Sequence, residues 1–472
     1  MEYINCIILI FNTLYSYTPN TSSVLREYNH IHSLRVGDRI YKVECIEVGL
    51  DNGGRKRGAM NGYAELKKAL SRLMEEHGTP GMSVAVLQGG QVAWSEGLGT
   101  LERGTDRPAV QDSLFHACSM SKMVTALGVL RLVQEERLRL DADVNEYLGS
   151  WKLTEGPNMR SSMAQDMGHE REKDMIGDRG KEVDQHIFAK HMDEVSDQSL
   201  RQVTVTLSQL LAHQGGLEDP EGSFDACQSG DQAPELEDIL VGRTRHLQQP
   251  LQVSYVPESR FSYSDAGYCV IEQIVKQVTG LPFAEAMDEL VIGPLGLRYT
   301  SFWNSITDPD GRTLPINTED IDIEGGRGIA AGHNAQGEVV PGRRAYYPYQ
   351  AAAGLWTTAE DLARMLVALM EAWRGESQAF LRSELVRYML TGFGCEPAAG
   401  LGIFLHSADD VLQILSRGWG IGFQGMMIAF PQLGMGAAVL TNMDPGRPQQ
   451  ESVVGAAIRE IAKACSWPGS QG

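Results

Sequence analysis

No two cysteines in this chain stand at the spacing of a metal or redox motif. The seven that occur, at positions 6, 45, 118, 227, 269, 395 and 465, are odd in number and scattered. That pattern argues against a disulfide framework and fits reduced thiols in a cytoplasm. There is no H-E-x-x-H and no Cys/His cluster, so neither a metal nor another cofactor is expected. Long apolar runs are missing too. The stretch CIILIF at residues 6–11 is too short to span a bilayer, and Glu2 rather than a lysine or arginine precedes it, so the expected location is cytoplasmic. Basic charge is in deficit, with 41 Lys and Arg against 61 Asp and Glu. A net charge of -20 disfavours nucleic acid or an anionic membrane surface as partner. No internal repeat or low-complexity tract is visible.

What remains is ordinary globular material, 42% hydrophobic and 22% charged over 472 residues, enough for one large fold or two domains. Residues 1–58 differ in texture, being polar with one strand-like alternation at 39–48, and read as an extension. Residues 60–466 read as the main domain. Its first helix, 60–78, carries Leu66, Leu70 and Leu73 on one face. Residues 82–99 follow as two strands joined at Gly89-Gly90. Helices are expected at 119–136, at 205–217 with a stop at Gly215-Gly216, at 268–291 with a break at Gly280, and at 357–375 behind a Thr357 or Thr358 cap. Strands return near 425–442, and a last helix covers 452–465. Residues 155–200 carry both charge signs with little periodicity and read as a solvated surface insertion. A hairpin at the start must pair with strands at the finish, with helices between. The expected fold class is therefore α+β.

The stretch HACSMSKMV (116–124) poses the chemical question. On a helix, residues three apart share a face, so Ser119 and Lys122 can touch while Ser121 points elsewhere. Serine is a weak nucleophile and needs a neighbouring base, and a lysine becomes one when burial lowers its pKa. Taken alone, Ser-x-x-Lys occurs about once or twice by chance in a protein of this length. A second polar turn, FSYSDAGY (261–268), places Tyr263, Ser264 and Asp265 before a buried helix. A tyrosine there can satisfy a helix end, or, beside a buried lysine, share proton transfer with it.

With these pieces in order, the sequence resembles the serine β-lactamase-like family: class C β-lactamases, DD-peptidases and family VIII esterases. The likeness runs over about residues 62–465. It rests on PGMSVAVLQGGQVAWSEGLG (80–99), SLFHACSMSK (113–122), RLRLDADVNEYL (137–148), VTLSQLLAHQGGL (205–217), RFSYSDAGYCVIEQIVKQVTG (260–280), IGPLGLRYTSF (292–302), AAAGLWTTAEDLARML (351–366) and GWGIGFQGMMIAFPQLGMGAAVLTN (418–442). The resemblance implies an antiparallel sheet of N- and C-terminal strands flanked by helices, an all-helical lobe, and a site in the cleft. It implies Ser119 as nucleophile, Lys122 and Tyr263 as proton carriers, and main-chain N–H groups of Ser119 and Trp419 as the oxyanion hole.

Two departures from that pattern bear on substrate. Asp265 stands where the family carries Asn, and an ionised carboxylate near Lys122 would hold it charged. Either Asp265 is turned away, or Tyr263 carries more of the base role. Ser416-Arg417-Gly418 stands where relatives carry Lys-Thr-Gly or His-Thr-Gly at the substrate-binding strand. Strand alternation predicts that Arg417 points away from the cleft. The expected function is a serine hydrolase that forms an acyl-enzyme on a small ester or amide. The alternatives are a true β-lactamase acting on a lactam, a D-amino-acid peptidase, or an inactive binding module.

Overall fold

The structure, a computed structural model, describes residues 57–157, 203–302 and 327–468 apart from short stretches within them, and a few short strands outside. Most of residues 1–58 and of 155–200 lie outside the described residues. In the first of these ranges, His32–Val36 pairs antiparallel with Arg39–Val43.

Helix α1 (Arg57–His77) is amphipathic as its leucines require. It leads into strands β1 (Gly81–Gln88) and β2 (Gln91–Gly99). The turn between them has Gly89 at φ 61° and Gly90 at φ 77°, left-handed at both central positions as a tight hairpin of this hand demands. Helix α2 (Ser121–Gln134) is buried almost all round, which is why its sequence shows no polar stripe. Then come α3 (Leu207–Leu211) and α4 (Asp265–Thr279), the latter ending at Gly280 with φ 74°. They are followed by α5 (Gln350–Ala353) and α6 (Ala359–Arg374), whose cap is Thr358, accepting from Asp361 N–H at 3.1 Å. Last in order are β3 (Phe404–Ala408), β4 (Val411–Gly420), β5 (Phe423–Phe430), β6 (Met435–Thr441) and α7 (Val453–Ala464).

One antiparallel six-stranded sheet has the order β3-β4-β5-β6-β1-β2. The join between the two ends of the sequence is β6 on β1, with Ala438 opposite Ala85. One face packs on α1 and α7 through Leu70, Val84, Val439 and Ile461. The other packs on α2, α4, α5 and α6 in a larger core around Phe115, Leu127, Tyr268 and Trp356. Full burial of each such apolar group contributes about 1.5–3 kcal/mol. The architecture is α+β, with terminal strands in the sheet and helices between.

Two local expectations fail for identifiable reasons. The helix expected over 205–217 is only five residues long, because the backbone turns left-handed at His213 (φ 58°), before the glycines. Ser119 lies not in α2 but in a single 3₁₀ turn, Cys118–Met120, that leads into it.

Candidate active site

A short three-stranded sheet leads into this turn. Leu355–Thr357 pairs on one side with Phe115–His116 and on the other with Ser301–Phe302. Ala117 N–H donates to Leu355 C=O at 2.9 Å. The His116 ring is held by Ala353 C=O at 2.6 Å, and Cys118, at φ 49°, puts its Sγ 3.2 Å from His116 Nδ1. Burial pushes the His116 pKa down to about 4 and the Cys118 thiol up. This pair is therefore neutral and supports the turn.

Ser121 turns inward: its hydroxyl donates to Cys118 C=O at 2.6 Å and accepts from Leu355 N–H at 2.9 Å. Ser119 is the serine left facing Lys122, with Lys122 Nζ 3.4 Å from its Oγ. The lysine is buried, its ammonium donating to Ala352 C=O at 3.0 Å and pairing with Asp265 Oδ1 at 2.6 Å. Burial alone would lower its pKa, but the Asp265 carboxylate overrides that and holds it above the ordinary lysine value. Of the two possibilities left open by the sequence, Asp265 is not turned away.

Tyr263 completes the cluster. Lys122 Nζ lies 4.8 Å from its ring centroid, and its hydroxyl interacts with both Lys122 and Ser119. The residue is 39% exposed to solvent. Its hydroxyl nevertheless lies at the crowded end, where burial first and Asp265 second raise its pKa against the opposing pull of Lys122. Asp265 and Tyr263 are fixed by the start of α4, where Ser264 caps the helix by accepting from Gly267 N–H at 3.1 Å. Asp219 collects three donors there: Ser264 Oγ at 3.0 Å, Asp265 N–H at 2.7 Å and Ala266 N–H at 3.0 Å. Burial and the Asp265 charge push the Asp219 pKa up to about 6.

Strand β4 closes the opposite wall. A Cβ on Gly418 would sit 2.1 Å from Ala117 C=O, and one on Gly420 would sit 2.9 Å from Cys118 Sγ. Glycine at both places lets the Trp419 backbone run directly beside Ser119. The Trp419 ring is 36% exposed, anchored by Nε1 to Asp444 at 2.7 Å. Ser416 is buried. Arg417 departs from the expectation that it points away. Its guanidinium lies 5.8 Å over the Phe404 ring, and its charge interacts with Tyr263. The reason is the sheet edge: β3 leaves β4 unpaired beyond Leu415, opposite Phe404, so a long residue there can wrap towards the cleft.

The structure thus brings together Ser119, Lys122, Tyr263, Asp265, Arg417, Gly418 and Trp419. Sequence reasoning missed Asp219 and His213, whose partners are 45 to 51 residues away. A groove of about 530 Å³ lined by residues 91–95, Gln111, Glu360, Arg364 and Val367 contains none of these groups. Among the described residues no His/Cys/Asp/Glu cluster could hold a metal ion.

A serine, a lysine three residues on, a tyrosine at a helix start and a glycine-bearing strand opposite thus meet at the head of α2. Esterase EstB of Burkholderia gladioli is 26% identical over 368 residues, covering 74% of this chain and 80% of EstB. The octameric penicillin-binding protein homologue from Pyrococcus abyssi superposes with a TM-score of 0.59 at 20% identity, covering 84% of this chain and 76% of that one. The D-amino acid amidase of Ochrobactrum anthropi SV3 superposes with a TM-score of 0.57 at 18% identity, covering 85% and 99%. The family model described as Beta-lactamase matches residues 66–459, from the middle of α1 to the last helix, and the protein belongs to that family.

Proposed function

We propose that this protein is a serine hydrolase that transfers the acyl group of a small ester or amide to Ser119 and then to water. The observation that carries this reading is the Ser119–Lys122–Tyr263 cluster beside the glycine-lined strand. Ser119 Oγ attacks the substrate carbonyl as its proton passes to the Tyr263 oxygen. Tyr263 in turn gives up its own hydroxyl proton to the departing oxygen or nitrogen. A neutral tyrosine can act in this way because it gains one proton as it loses another. Lys122, kept charged by Asp265, donates to Ser119 Oγ and steadies the negative charge that grows on that oxygen as it gives up its proton. Main-chain N–H groups of Ser119 and Trp419 take the carbonyl oxygen as it becomes an oxyanion. Water then attacks the acyl carbonyl, its proton passing to the Tyr263 oxygen while Tyr263 returns its own hydroxyl proton to the departing Ser119 Oγ.

Two exposed aromatic rings, Tyr263 and Trp419, border the cleft and favour an uncharged ester with an apolar group, in keeping with the likeness to EstB. One observation favours a second reading. Among the described residues Arg417 forms no ion pair with a carboxylate, so its guanidinium is available to a carboxylate-bearing amide or lactam. The five described cysteines are free thiols, which supports a reducing compartment such as the cytoplasm. No helix among the described residues is long and apolar enough to cross a membrane.

The test is a fluorophosphonate probe with native and Ser119→Ala proteins, then p-nitrophenyl esters beside nitrocefin. Labelling that survives Ser119→Ala would refute the assignment. Turnover of nitrocefin ahead of all neutral esters, lost in Arg417→Ala, would move the substrate to the second reading.

A further inference from the structure

His213 belongs to the LAHQGGL stretch, which the chemistry above leaves unused. It is buried, in a left-handed backbone conformation (φ 58°) that a non-glycine residue adopts only when its surroundings hold it there. Its ring also meets Phe261 and Tyr268, but three of its contacts converge on Tyr263 and the residues beside it. The His213 ring stacks on the Tyr263 ring with centroids 4.3 Å apart and planes 26° from parallel. Its Nδ1 accepts from Ser264 N–H at 3.1 Å, and its backbone C=O accepts from Ser262 N–H at 3.0 Å. The amides on both sides of Tyr263 are thus bonded to one residue, which also covers one face of the tyrosine ring.

We propose that His213 is a positioning residue for Tyr263, a bracket that fixes the tyrosine's backbone and ring plane so that its hydroxyl meets Ser119 and Lys122. Because Nδ1 accepts, the proton of the neutral ring is on Nε2. Burial and the nearby Lys122 charge hold the His213 pKa well below its ordinary value, so the ring remains neutral and the acceptor is not lost near neutral pH. The left-handed backbone has a geometric use. It ends α3 two residues before the glycines and turns both the ring and the carbonyl of His213 towards residues 262–264.

The bracket rests on the acyl-transfer reading, since the position of Tyr263 matters only if Tyr263 moves a proton. Two variants separate its parts. His213→Asn tolerates the left-handed backbone and keeps an acceptor but has no ring, whereas His213→Phe keeps a ring and has no acceptor. Each is measured with a p-nitrophenyl ester in the native and the Tyr263→Phe backgrounds, with thermal melting to confirm folding. His213→Asn should lower kcat roughly 10- to 100-fold with KM little moved, and His213→Phe should lower it less. Both effects should vanish once Tyr263 is Phe. Equal losses in the two backgrounds, or losses carried by KM, would overturn the bracket. If Tyr263→Phe alone leaves kcat intact, the acyl-transfer reading itself fails.

Discussion

Replacing Asp265 by Asn removes one negative charge 2.6 Å from the Lys122 ammonium. At that distance the attraction is about 6 kcal/mol for an effective dielectric constant near 20. The Asp265 carboxylate is 23% exposed, so screening trims this, and a fall in the Lys122 pKa of roughly 3–4 units is expected. With the carboxylate gone, burial, the largest influence, is opposed only by Tyr263 and draws the lysine below its ordinary value. In the native protein the folded pKa of Lys122 is raised. Its contribution to stability is therefore complete below the unfolded value of about 10.4 and is lost only as pH rises through the folded value. In Asp265→Asn the sign reverses: the folded pKa is depressed, and stability is lost as pH falls through it. The variant should be about 3 kcal/mol less stable at neutral pH and recover towards pH 10. Lys122 can then serve as a neutral base, so kcat/KM for a neutral ester should gain a new ionisation between about pH 8 and 10. The assays are thermal melts and probe-labelling rates measured across that range. Superimposable pH profiles for the two proteins would refute the claim that Asp265 sets the charge of Lys122.

Three further outcomes are expected. Ser119→Ala should abolish labelling, whereas Ser121→Ala should keep it while lowering stability by about 1–3 kcal/mol, because the hydroxyl ties Cys118 to Leu355; loss of labelling in a folded Ser121→Ala protein would count against the choice of nucleophile. Gly418→Ala should cut kcat about 100-fold or more, since its methyl meets Ala117 C=O at 2.1 Å and must drive strand and turn apart; near-native turnover would mean that β4 does not form the wall. Asp219→Ala strips Ser264, Asp265 and Ala266 of their acceptor and should lower stability by about 1–3 kcal/mol. The Asp219 pKa is raised to about 6, so the stability held by its proton is present below about 3.8 and lost as pH rises through 6; the melting deficit should shrink from about pH 4 to 7, and a deficit that grows would contradict the assignment.

Where sequence signals are local, they locate the elements well. The Gly89-Gly90 turn, the leucine face of α1, the Gly280 cap and the Thr358 cap all depend on neighbours a few residues away, and all appear at or near the expected positions. The pairing of early with late strands follows from the need to bury a two-stranded hairpin. Three features of the site are settled by distant partners, and local signals leave them open or misplace them. The length of α3 is decided by what His213 meets around residue 263. The direction of Arg417 is decided by where β3 stops. The charge of Lys122 is decided by Asp265, which is placed by Asp219. Alternation along β4 fixes where the Arg417 Cβ starts, but not where a long side chain at an uncovered edge carries its guanidinium.

The seam between β6 and β1 joins strands from opposite ends of the sequence, with Gly436 opposite Leu87 and Thr441 opposite Met82. Lys122 depends on Ala352, 230 residues later. Loop closure on that scale comes late and slowly in folding. The reactivity proposed for Ser119 is therefore a property of the finished molecule. During synthesis the serine emerges long before the carbonyl that seats its lysine and the strand that forms its opposite wall. A nascent or clipped molecule lacking residues beyond about 430 would carry every polar group of the Ser119–Lys122–Tyr263 cluster and still be inert towards a fluorophosphonate. In refolding, probe uptake should lag behind the recovery of helix signal, which makes Ser119, the proposed nucleophile, a timer for the closing of the sheet.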